Sequence, residues 1–207
     1  MFFGEVIMNR EIQICVSAAN RIINRTDAHN RWRVEELGKP RVKITTRRVQ
    51  KILYLCQLFW YIDHEDSNMI PEDFVAWGNG PVIPEIYDEW AIYQDGDILP
   101  KTYRKYTLTK EEIDLINIVV DNTIDISTET IIDYIQSTNE PWINAFKIYL
   151  SCNRRRQEVI SKESMKQFIR KEEAQRELFD FIRNETAKQE NSEFTKKLTP
   201  SKNTGNK

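Results

Sequence analysis

The stretch Val49-Gln50-Lys51-Ile52-Leu53-Tyr54-Leu55-Cys56-Gln57-Leu58-Phe59-Trp60-Tyr61-Ile62 decides how this chain folds. Eleven of its fourteen residues are apolar or aromatic, and the exceptions are Gln50, Lys51 and Gln57. Wound on a 3.6-residue helix, Gln50, Tyr54, Gln57 and Tyr61 recur at spacings of three and four and share one stripe. The remaining surface is hydrocarbon, the pattern of a helix surrounded by other elements on most sides. A membrane span needs about 20 consecutive apolar residues. This run is interrupted by a lysine and two glutamines and flanked by Arg47, Arg48, Asp63 and Glu65. It reads as the central helix of a soluble core, with Thr45 or Thr46 as its cap.

Downstream lies Phe74-Val75-Ala76-Trp77-Gly78-Asn79-Gly80-Pro81-Val82-Ile83-Pro84-Glu85-Ile86-Tyr87. Gly-Asn-Gly-Pro is a turn signal, because glycine and asparagine tolerate positive φ and proline fixes its own φ. Pro84 suits a first helical position, and Glu85 suits the positive end of the helix that follows. Ile83, Tyr87, Trp90 and Ala91 share one face of that helix, and Gly96 marks its end. Only Phe74 to Trp77 reads as a short strand. The stretch predicts a rigid, aromatic-walled corner.

These residues resemble the Panacea domain, the SocA-like antitoxin family. The family pattern is a Leu-Gln-Lys-Leu-Leu-Tyr helix, then Ala-Trp, an aromatic-Gly-Pro-Val turn and Pro-x-hydrophobic-Tyr. Val49-Gln50-Lys51-Ile52-Leu53-Tyr54, Ala76-Trp77, Gly80-Pro81-Val82 and Pro84-Glu85-Ile86-Tyr87 are similar to it. Ser137-Thr138 and Pro141-Trp142 resemble the later Thr-His and Pro-Trp element. Asn79 stands where the family usually has an aromatic, and Asn139 where it usually has histidine. The resemblance covers roughly residues 16–168.

The rest of the chain predicts a mainly α-helical protein, a compact domain around the central helix with at most one short strand or hairpin near 74–83. A helix is expected over about Arg10 to Arg25, and a charged loop with Gly38 and Pro40 as breakers over Asp27 to Lys43. Thr109 with Glu112 makes a capping box for a helix bearing Ile113, Ile116, Val119 and Val120. Ser127 begins a short helix with Ile131, Ile132 and Ile135 inward, and Glu140-Pro141-Trp142 begins another. Ser161 caps a final amphipathic helix that carries Met165, Phe168, Ile169, Leu178 and Ile182. By domain, residues 1–8 are extra N-terminal residues with Met8 as an alternative start, 9–184 form the Panacea-like helical domain, and 185–207 form a disordered, lysine-rich tail.

At 40% hydrophobic and 207 residues the chain can bury one good core. A net charge of −2 gives no global electrostatic case for nucleic acid. Cys15 and Cys56 fall within apolar helical patterns and read as buried small hydrophobes, which fits a reducing cytosol. His29 and His64 sit in separate charged surroundings without metal-ligand spacing or a nucleophile motif, and Gly78-x-Gly80 lacks the dinucleotide fingerprint. No enzyme, cofactor or metal site is expected. Arg154-Arg155-Arg156 reads as a solvated helix end and Tyr103-Arg104-Lys105-Tyr106 as a connector, so nucleic-acid binding is a minor alternative.

The resemblance implies a cytoplasmic antitoxin of a toxin–antitoxin system, of the kind carried on prophages and other mobile elements, that neutralises a cognate toxin by direct binding. It also implies an alternative, an adapter delivering the toxin to a ClpXP-type protease. The expected partner-binding residues are Gln50 and Tyr54 on the polar stripe, Lys51 next to them in the chain, and Trp77, Asn79, Gly80, Pro81 and Tyr87 of the corner. Rigid aromatics beside closely approachable backbone suit a partner site.

Overall fold

The computed structural model describes the backbone of residues 10–100, 108–152 and 157–198, and the side chains of residues 14–100, 108–152 and 157–187. The helices are α1 (Arg10–Leu37), α2 (Thr46–Asp63), α3 (Pro84–Glu89), α4 (Lys110–Thr123), α5 (Thr128–Thr138), α6 (Glu140–Ser151), α7 (Lys162–Ile169) and α8 (Glu172–Leu198). A 3-10 turn, Ala91–Tyr93, follows α3. Strands β1 (Phe74–Trp77), β2 (Gly80–Val82) and β3 (Val159–Ile160) form an antiparallel sheet in the order β2-β1-β3. The fold is mainly α, with the hairpin where the turn residues put it. The third strand is an addition: a two-residue strand carries no readable alternation, and it exists because Phe74 pairs with Ile160 and Val75 with Val159.

Fourteen of the 18 residues of α2 are buried, so the helix is central in fact. It touches α1, α3, α4, α5, α7 and β2. Thr45 caps it, its side chain accepting from the Arg48 amide at 3.1 Å. Arg48 then turns outward from the same end. Its Nη1 donates to the Ile126 carbonyl at 2.8 Å and its Nη2 to the Thr123 carbonyl at 2.7 Å. A cation here satisfies carbonyls at the negative end of α4, where the helix has no partners of its own. Burial pushes the guanidinium down to about 10, partly offset by Asp125.

Where a charged loop was expected from Asp27, α1 runs on to Leu37. Tertiary pairing explains the difference. Arg21 donates to Asn117 at 2.7 and 2.9 Å, Arg25 pairs with Asp121, and Arg33 pairs with Asp125. Polar residues along α1 thus face matched partners on α4 and in the turn after it, and the two helices run parallel. Asn30 closes the far end, exchanging two hydrogen bonds with the Val42 backbone at 2.7 and 2.8 Å.

The later helices start where their caps predict. Thr109 and Glu112 form the reciprocal capping box, and Ser127, Asn139 and Ser161 cap α5, α6 and α7. The single final helix expected from Ser161 is two, with α7 ending at Ile169 and α8 beginning at Glu172. The backbone of α8 stays helical to Leu198, past the boundary near Glu185 where disorder was expected; residues 199–207 lie outside the described residues. Cys15 and Cys56 are buried free thiols and Cys152 is exposed. No helix among the described residues is long and apolar enough to cross a membrane.

Candidate functional site

The corner is a hairpin braced from below by α2. Trp77 pairs with Gly80, Ala76 with Pro81 and Val75 with Val82, leaving Gly78-Asn79 as a two-residue loop. Pro81 cannot donate to a ladder, and it is tolerated because β2 is an edge strand. Gly80 has φ 92°, a conformation that favours glycine. A Cβ added there would lie 2.9 Å from Cε of Lys51, so the lysine stem occupies the space that glycine leaves.

The polar stripe of α2 supplies the braces. Gln50 pairs its whole amide with one residue: Nε2 donates to the Ile83 carbonyl at 3.0 Å, and Oε1 accepts from the Ile83 amide at 2.9 Å. Lys51 Nζ donates to the Pro81 carbonyl at 2.7 Å. One turn on, the Tyr54 hydroxyl donates to Asn139 Oδ1 at 2.7 Å, while its ring meets Phe74 edge to face at 5.1 Å. Gln57 Oε1 accepts from the Ile70 amide at 2.7 Å, and the Tyr61 hydroxyl donates to Asn68 at 2.7 Å. Each side chain gives a hydrogen-bond partner to backbone or to a side chain of a segment packed against α2. Burial raises the Tyr54 phenol well above its ordinary range.

This arrangement separates the expected partner-binding residues into two groups. Gln50, Lys51, Tyr54, Gly80 and Pro81 are buried, Gln50 at 1% exposure and Lys51 at 0%. They hold the corner and present no side-chain surface to a partner. Trp77 is half-buried, Asn79 is exposed at the tip, and Tyr87 is 43% exposed. Trp77 and Tyr87 meet edge to face with centroids 5.1 Å apart, joining the hairpin to α3. Sequence reasoning missed Gln136, whose Nε2 donates to the Gly78 carbonyl at 2.8 Å and fastens the tip to α5. A glutamine on an exposed helix face gives no signal of that role.

Beside the corner, both carboxyl oxygens of Glu72 are buried, with the Cys15 thiol close by. Burial pushes this carboxyl up to about 7, and the same burial, with Glu72 nearby, raises the Cys15 thiol. His64, expected in a solvated acidic turn, stacks on Trp60 at 3.8 Å and lies 3.2 Å from Glu111. His29 lies 3.7 Å from Asp121 and edge-on to Trp32. Among the described residues no group of three or more His, Cys, Asp or Glu side chains could hold a metal. Tyr103, Arg104, Lys105, Tyr106 and the Arg154–Arg156 run lie outside the described residues.

A second concave surface lies across the molecule. It is an open groove of about 840 Å³ between α2, α4 and α8, lined by Phe59, Ile62, Leu115, Ile118, Phe179 and Ile182 among others. Ile118 and Phe179 are more than half exposed there.

No curated protein and no solved structure matches the chain. The family description "Antitoxin SocA-like, Panacea domain" matches residues 49–143, from the second turn of α2 through the hairpin, α3, α4 and α5 to the start of α6. The central helix and the hairpin it braces thus lie within the part of the chain that matches the Panacea domain of the SocA-like antitoxin family.

Proposed function

We propose that this protein is a cytoplasmic antitoxin that neutralises a cognate toxin by binding it directly, without chemistry of its own, through the hairpin tip and the adjoining face of α3. One observation carries the reading. The tip is held rigid from beneath by Gln50, Lys51 and Gln136, while Trp77, Asn79 and Tyr87 are left with surface to offer. A pre-organised aromatic edge loses little conformational freedom on binding, and Trp and Tyr are over-represented among residues that dominate interface energy. Asp88 and Glu89 are exposed beside Tyr87, and among the described residues no cation pairs with either. A toxin surface bearing lysine or arginine would complement that rim.

The test is growth rescue. The neighbouring open reading frame is expressed from an inducible promoter, with this protein or with its Asn79→Arg/Tyr87→Ala variant. Wild-type rescue with co-elution of the two proteins is expected, and the variant should lose both while melting at the wild-type temperature. Full rescue by the variant would remove the hairpin tip as the binding face. Rescue that requires an active ClpXP-type protease and depletes the toxin would replace neutralisation by delivery.

A further inference from the structure

Lys51 is left over by that reading, because it lies at the centre of the corner and touches no solvent. It is 0% exposed, its stem fills the space beside Gly80, and its Nζ has the Pro81 carbonyl as hydrogen-bond acceptor. An ammonium brings three donors and a full charge, whereas a neutral amine brings two donors and a lone pair. A buried charge is stable only when paired and fully hydrogen-bonded. The charged group acting on Lys51 is Arg47 on its own helix, a cation already paired with Glu129 of α5 at 2.6 Å. From β2 the facing groups are the Gly80 backbone and the Pro81 carbonyl, and no described carboxylate forms an ion pair with Lys51.

We propose that Lys51 is a proton-controlled latch: its neutral amine holds the β1–β2 hairpin against α2, and uptake of a proton favours release of the hairpin. Burial, reinforced by Arg47, pushes the amine down to about 7 in the closed form. Once the hairpin lifts, water reaches the group and its ordinary value near 10.4 returns. Between those limits opening takes up a proton, so the closed form weakens as pH falls from about 10 to about 7 and changes no further below. The latch does not depend on the toxin-binding reading. If the tip is the binding face, the latch sets how much of the protein presents it ready-made.

Amide hydrogen exchange on the full chain tests this without any partner. After correction for intrinsic rates, protection of the Val75–Trp77 amides should rise by up to about tenfold per pH unit between pH 7 and pH 9. The hairpin amides should also exchange faster than those in the middle of α4, which separates release of the hairpin from unfolding of the whole chain. Lys51→Met should abolish the slope in the hairpin, and a slope that persists in Lys51→Met, or is missing from the wild type, overturns the latch. Should Lys51→Met fail to fold, the ε-carbon resonances of the labelled wild-type lysines decide the matter. One lysine titrating near neutrality is expected, and all titrating near 10 overturns it. Failure of the toxin assay leaves these outcomes untouched, so the two readings fall separately.

Discussion

The side of α2 that faces the hairpin and the side that faces α4 and α8 are joined to their neighbours by different forces. On the first, Gln50, Lys51, Tyr54 and Gln57 reach out as directional braces, each fixed to one identified acceptor or donor. On the second, away from the Arg48 bonds to the end of α4, Phe59 and Ile62 meet α4 and α8 through hydrocarbon, and the contact stays loose enough to leave a groove. Directional bonds define one geometry, because each brace is satisfied at a single distance and angle. Dispersion and area burial are non-directional and tolerate rearrangement. The hairpin side therefore suits a surface that must keep its shape, and the groove side one that can adapt.

Substitutions break this comparison in a graded way. The largest loss should come from Leu53→Ala, since Leu53 is wholly buried between the two sides. Roughly 2–5 kcal/mol is expected from a denaturant melt, and a loss under about 1 kcal/mol would remove Leu53 from the core. Gln50→Ala leaves the Ile83 amide unpaired in a buried site, with its carbonyl still held by the Tyr87 amide, and should cost about 1–3 kcal/mol. A negligible change would show that the paired amide is not a brace. Gly80→Val sets a β-branched residue at positive φ against the Lys51 stem, and about 1–3 kcal/mol should be lost.

Glu72 sharpens the contrast through pH. It ionises near 4.5 in the unfolded chain and near 7 in the fold, so the fold holds the extra proton between those values. Its contribution is present below about 4.5 and lost as pH rises to about 7. Glu72→Gln should flatten that decline in a series of thermal melts, whereas an unchanged slope would assign the decline to other groups. The smallest effect is expected in the groove. Ile118→Ser changes a residue that is 59% exposed and should move stability by no more than about 0.5 kcal/mol. A larger loss would mean the groove is closed in solution.

Local chemistry was legible and tertiary pairing was not. The buried run of α2, the turn at Gly78–Pro81 and the caps at Thr45, Thr109, Ser127 and Ser161 follow from residues a few positions apart. The second half of α1 was hidden because Arg25 and Arg33 read as solvated charge until Asp121 and Asp125, more than ninety residues away, are set against them. The same ambiguity divided the corner residues. A polar stripe on an apolar helix reads equally as a wet groove or as a set of internal braces. Spacing cannot separate the two, because the partners of Gln50 and Gln57 are backbone groups of distant loops. What decided it was burial, which belongs to the fold and not to the stripe.

Asn139 carries a further consequence. Its single Oδ1 accepts from the Tyr54 hydroxyl at 2.7 Å and from the Trp142 amide at 3.0 Å, so it is both the cap of α6 and the anchor of the central helix. Fraying of the first turn of α6 and withdrawal of the tyrosine are thus not independent events. An asparagine that swings away to abandon one donor abandons the other. Two segments about eighty residues apart in the chain then open and close as one cooperative unit, with a single oxygen as the hinge of that cooperativity.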